Sequence, residues 1–151
     1  MAQEEANKAL MRRWFDEFWC KGNADAVDTM VDPNFIDHQR PEGWPGGREG
    51  LKALVREWRK GFSDMHETVE DLIADGDKVV GRFTLRGTHT GEFLGIPATG
   101  RRIEITGIDI VRIRDGRIVD FWYNEDTLGL FQQLGAFPPG LAVPGSRTAA
   151  R

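Results

Sequence analysis

The sequence predicts an α+β fold, helices first and an antiparallel sheet after them, from a change of hydrophobic period along the chain. Up to residue 62, apolar side chains recur at the spacing of helix faces. From about residue 67 they alternate as in strands, in segments closed by Gly-containing turns. Helices segregated from a meander of hairpins are the signature of α+β rather than of alternating βαβ units.

The helical part divides into three. Over residues 6–21, Leu10, Trp14 and Phe18 stand at i+4 spacing, Met11 and Phe15 widen the stripe, and Gly22 stops the helix. Asn23 caps a short second helix through Val27 and Met30 that ends at Asp32-Pro33. The run Phe35 to His38 is too short for a helix and opens into a loop from Gln39 to Gly47, enforced by Pro41, Gly43, Pro45, Gly46 and Gly47. A third helix carries Leu51, Leu54, Val55, Trp58 and Phe62 on one face.

Four strands follow: Glu67 to Ala74, Val79 to Gly87, Ile103 to Ile113 and Arg117 to Glu125. Asp75-Gly76, a long Gly-containing segment at 91–100 and Asp115-Gly116 link them. A last helix, Thr127 to Leu134, starts behind Asp126 as cap and stops at Gly135. Residues 1–137 thus make one domain, and the Pro-, Gly- and Ala-rich tail at 138–151 has little to bury and is expected to be mobile or docked on a partner subunit.

Composition narrows the function. In 151 residues, 40% hydrophobic and 29% charged, there is no apolar run long enough to cross a membrane. The acidic start MAQEEANK is no signal peptide, and the lone Cys20 forms no internal disulfide, so the chain reads as cytoplasmic. A net charge of -4 argues against nucleic acid as a partner, since Arg101 and Arg102 are a pair and not a patch. His38, His66 and His89 share no metal-ligand spacing, so no metal is expected, and Cys20 among aromatic neighbours reads as a core residue.

The last hairpin supplies the strongest site argument. A three-residue loop, Arg114-Asp115-Gly116, pairs Val111 with Val119, Asp109 with Phe121 and Gly107 with Tyr123. A two-residue loop would set Arg112 against Val119 and mismatch the faces. Ile103, Ile105, Gly107, Asp109, Val111 and Ile113 then share one face on which Asp109 alone is ionisable, with Tyr123 diagonally across. A carboxyl among apolar side chains is costly to ionise, which is how proteins tune an acid or base toward neutral pH. The plainer readings are an Asp bonded to backbone near a strand end and a core tyrosine.

Four motifs in one order carry a resemblance: RGTHTGEFLGIPATGRR from Arg86 to Arg102, GIDI from Gly107 to Ile110, DGRIV from Asp115 to Val119, and DTLGLFQQLG from Asp126 to Gly135. Over roughly residues 5–137 the chain resembles SnoaL-like polyketide cyclases and the ester cyclases grouped with them. The resemblance implies the nuclear-transport-factor-2-like fold, a cone-shaped barrel whose curved antiparallel sheet wraps three N-terminal helices, homodimeric through the sheet's outer face. It also implies an intramolecular aldol ring closure on a hydrophobic or polyaromatic ester by proton transfer, with no cofactor and no metal. The family places an acid/base Asp on the last strand beside a His on the preceding one. Counted from the Asp115-Gly116 turn, these positions hold Tyr123 and Asp109, so both depart from the family pattern.

The candidate catalytic residues are therefore Asp109 as base, with Tyr123 or His38 as donor. His38 borders the Pro/Gly loop, where a pocket-mouth donor and a surface histidine are both open readings. Trp14, Phe18, Trp58, Phe62, Phe121 and Ile105 are core residues that would also supply walls for a flat substrate, and Arg82 is either a pocket donor or a solvated charge. Beside a cyclase, three alternatives stand: a non-catalytic ligand-binding module using the same pocket, an isomerase or dehydratase, and a dimerisation scaffold.

Overall fold

The computed structural model describes residues 1–137; the tail at 138–151 lies outside the described residues. Helix α1 (Ala2–Arg13) runs straight into a π-helical segment (Trp14–Cys20), closed by the Lys21 N–H on the Asp16 carbonyl at 2.9 Å. The wider π turn places the aromatic pairs Trp14-Phe15 and Phe18-Trp19 in the core together. A 3-10 turn (Ala24–Ala26) and a single turn, α2 (Val27–Met30), lead into β1 (Val31–Asp37). The Asn23 side chain does not cap this turn, contrary to the expectation from sequence.

Helix α3 (Gly47–Gly61) buries Leu51, Val55 and Trp58 on the predicted face. Strands β2 (His66–Asp75), β3 (Lys78–Thr88), β4 (Arg102–Arg114) and β5 (Arg117–Glu125) form the antiparallel meander, and α4 (Thr127–Leu134) closes the fold. The Asp126 carboxylate accepts the Gly129 N–H, and Gly135 takes φ 69°, the left-handed end of a capped helix.

The sheet runs β1-β5-β4-β3-β2 and is open, not hydrogen-bonded into a closed barrel. Its first strand departs from the all-antiparallel expectation: β1 pairs β5 in parallel, with a bulge in the register between Val31 and Ile36. Pro33 lies in that bulge on the sheet edge, where a residue without an N–H interrupts no ladder.

The β4–β5 register corrects the expected one. The loop has two residues, Asp115 (φ 51°) and Gly116 (φ 73°), both left-handed as the tightest hairpin requires. Ile113 faces Ile118, and the mismatch that argued against this loop is absorbed by a bulge at Val119, after which Arg112 faces Asp120 and Val111 faces Phe121. Asp109 consequently stands directly opposite Tyr123, and Gly107 opposite Glu125.

The concave face packs on α1, the π-helical segment and α3. Ile103, Ile105, Asp109, Val111 and Ile113 are all buried on it, as the alternation predicts. Gly107 has a packing reason: a Cβ there would run into the Phe83 ring, so the missing side chain is the space Phe83 fills.

Candidate active site

Strand alternation aims Asp109, Tyr123 and Glu125 toward the helices, and each arrives in different surroundings. Asp109 is 3% exposed, and its Oδ2 accepts the Trp14 indole N–H at 3.3 Å. Burial pushes its carboxyl well above the usual range, Glu125 adds to the rise, and the indole bond only partly offsets it. Trp14 is held in turn by Phe18, stacked at 4.8 Å, and by the edge contact with Phe121 at 5.3 Å.

Tyr123 stacks on Phe121 at 4.8 Å, and its hydroxyl donates to the Gln39 carbonyl at 3.1 Å. The Gln39 side chain completes the clamp by accepting the Tyr123 main-chain N–H at 3.0 Å. Burial raises the phenol, and the carboxyls of Asp37, Glu125 and Asp109 raise it further. Glu125, half-buried, is pushed up to about 7 by burial.

Two more acids complete the group. Glu67 on β2 is buried, its Oε2 has no hydrogen-bond partner, and burial together with Asp109 and Glu125 holds its carboxyl far up. Asp37, at the end of β1, is raised by burial against the pull of the Gln39 N–H at 2.9 Å. Among the described residues, no three His, Cys, Asp or Glu side chains come together as a metal-binding group.

Above these acids lies an apolar cleft of about 260 Å³. Trp58 of α3 and Phe93 of the β3–β4 loop, 4.6 Å apart, form one wall, and Trp44 and Phe131 contribute from the 39–47 loop and α4. Tyr123 and Glu125 are its polar floor. Larger hollows on the surface are shallow and lined mainly by polar side chains such as Asp64, Arg86 and Glu104, so the cleft over β5 is the place for an apolar ligand.

The sequence-predicted residues are thus only partly brought together. Tyr123 and Trp58 reach the cleft, with Phe62 fully buried behind Trp58 and Phe93. Asp109, Trp14, Phe18, Phe121 and Ile105 lie one layer deeper, in the core. His38 is on the other face: its ring stacks on Trp122 at 4.5 Å and bonds Asp120 at 2.8 Å, so the pocket-mouth placement is corrected. Of the two readings of Arg82 the solvated charge holds, paired with Asp71 at 2.7 Å, and the pocket donor does not. Glu125 and Glu67 were missed, although the two-residue period that selects Tyr123 also selects Glu125.

The SnoaL-like polyketide cyclase family model matches residues 9–134. Aklanonic acid methyl ester cyclase DnrD of Streptomyces peucetius is 33% identical over 129 residues, 83% of this chain and 88% of that protein. Nogalonic acid methyl ester cyclase of Streptomyces nogalater is 32% identical over 116 residues, 76% and 87% of the two chains. TsrD from Streptomyces laurentii superposes with a TM-score of 0.80 at 34% identity, covering 88% of this chain and 97% of its own.

Proposed function

The chain belongs to the SnoaL-like polyketide cyclase family, and from that premise we propose that it is a cofactor-free acid–base enzyme closing a ring on a small hydrophobic ester. A proton leaves the carbon beside a carbonyl, the resulting enolate adds to a second carbonyl of the same molecule, and the new alkoxide takes a proton back. The observation that carries this reading is Asp109, a buried carboxyl facing Tyr123 across the strands beneath an apolar cleft. Tyr123 meets the substrate and, on turning its hydroxyl from the Gln39 carbonyl, hydrogen-bonds the enolate oxygen, while Asp109 behind it forms the acidic partner of the pair. The aromatic walls suit a flat, apolar ligand.

The esters named in its relatives are the first substrates to test: aklanonic and nogalonic acid methyl esters, followed by chromatography of the isomeric product and by deuterium uptake from solvent. Asp109→Asn is expected to lower turnover at least about tenfold while ligand binding persists. Unchanged turnover removes Asp109 from the mechanism. The sealing of Asp109 from the cleft favours a second reading, a non-catalytic binding module, which wild-type binding without turnover would support.

A homodimer through the outer face of the sheet belongs to the same proposal. That face exposes Ile108 and Ile36 beside the half-buried Trp122. Light scattering of the eluting protein distinguishes a dimer from a monomer.

A further inference from the structure

Five carboxyls stand in or under the cleft, and four are committed or out of reach. Asp109 is sealed beneath the floor and holds the Trp14 indole N–H. Glu67 is buried toward β2, where the Cys20 thiol bonds its main chain at 3.3 and 3.4 Å. Asp37 accepts the Gln39 N–H. Glu57 lines the cleft, but Lys60 at 2.9 Å and the Leu94 N–H at 2.8 Å occupy its two oxygens. Glu125 alone lines the cleft with a carboxyl that has no hydrogen-bond or ionic partner among the described residues.

Its backbone is fixed on both sides. Gly107 faces it in the β4 ladder, and the next residue, Asp126, donates its N–H to the Thr106 carbonyl at 3.0 Å and caps α4. A free carboxyl on a rigid strand end, open to an apolar cleft and beside a tyrosine hydroxyl, is placed for proton transfer rather than for holding the fold.

We propose that Glu125 is the catalytic base that touches the substrate, a role resting on the cyclase reading above. Its carboxylate takes the proton from the carbon beside the carbonyl, and the C–H electron pair becomes the enolate, whose oxygen accepts a hydrogen bond from the Tyr123 hydroxyl as that hydroxyl leaves the Gln39 carbonyl. The enolate carbon bonds the second carbonyl carbon, and the alkoxide formed there takes the proton from the Glu125 carboxyl. No electrons leave or enter the substrate.

Asp109 is then a positioning residue acting through Tyr123, which it faces across the strands. The titratable groups facing Glu125 are Asp109 from β4, Tyr123 on its own strand and Glu67 from β2, with Asp37 from β1 beyond them and Glu57 from α3 across the cleft. Burial works against the Glu57 charge, yet its bonds to Lys60 and Leu94 bring it below the usual carboxylate range. No Lys or Arg lines the cleft among the described residues. Glu125, raised toward neutral pH, therefore alternates between acid and base under ordinary conditions.

The test uses aklanonic acid methyl ester as probe, with kcat and KM followed from about pH 5 to about pH 9. Wild-type kcat rises with pH through one inflection near neutrality. Glu125→Gln lowers kcat at least about a hundredfold with KM changed less than about threefold, and removes the inflection. Glu125→Asp retains the inflection, and Asp109→Asn retains it too while lowering kcat with KM changed less than about threefold. A Glu125→Gln protein within about threefold of wild type, or one that keeps the inflection, overturns the assignment alone. A wild-type protein inactive on this ester and on nogalonic acid methyl ester overturns the cyclase reading and this inference with it.

Discussion

The two faces of the β4–β5 hairpin carry acidic side chains under opposite rules. On the outer face Asp120 accepts from Arg112 at 3.1 Å and bonds the His38 ring at 2.8 Å, while Arg112 also lies 3.6 Å from Asp77. Arg112 and Lys78 stand over the Trp122 ring, at 5.6 and 5.9 Å. Inside, Asp109 has one indole N–H and Glu125 has no partner among the described residues. Four residues of one strand separate a carboxylate paired with a cation from a carboxyl left without one. Outside, water and counter-charges stabilise ionisation, and each pair adds little to stability. Inside, one indole N–H replaces little of the lost hydration, so the fold favours the protonated form and stores reactivity instead of strength.

Truncation of neighbouring aromatics tests that contrast most severely. Phe121→Ala removes the inner ring against Trp14 and is expected to cost about 3–5 kcal/mol in urea unfolding. Trp122→Ala on the outer face is expected to cost about 1 kcal/mol, its stacking and cation contacts being half exposed. Equal losses would mean that the outer face is core as well, as in an obligate dimer.

Next in size is Gly107→Ala, whose new methyl meets Phe83 and should cost about 1–3 kcal/mol by overpacking. Calorimetry of Gly107→Ala with and without Phe83→Leu sharpens it, since the smaller partner should restore part of the loss.

Asp109→Asn then separates function from stability. The raised carboxyl contributes stability fully below its unfolded value of about 3.9 and loses it as pH rises through the higher folded value. The Asn variant escapes that loss, so its Tm should equal wild type in acid and exceed it by roughly 3–6 °C at about pH 8. A variant less stable at every pH would show that the carboxylate is structural. Smallest of all, Arg82→Ala breaks an exposed pair with Asp71 and should change stability by less than about 0.5 kcal/mol, with little response to salt.

Most elements were legible in the sequence because local signals and tertiary packing agree. Arg117–Glu125 and Thr127–Leu134 lie where period, cap and stop residues place them. The inner face of β4 was also readable, because alternation needs no partner strand. Register was not: a bulge at Val119 leaves no mark in composition, and a three-residue loop satisfied the same patterning. Strand β1 was hidden by Pro33, which breaks the period while the parallel edge pairing tolerates it. The cleft depends on Trp44 and Phe93, contributed by loops without period, so no spacing rule could assemble it. His38 follows its strand into a loop, where alternation no longer says which face a side chain takes.

The Val119 bulge has a consequence of its own. Removing that residue would leave the pairs Ile113–Ile118 and Arg112–Asp120 in step, so every later side chain on β5 would keep its neighbour. What would change is the bend and added twist that an inserted residue confers. Neighbourhood and curvature are thus written separately in this strand, and the size of the chamber above it is adjustable without exchanging any of the groups that line it.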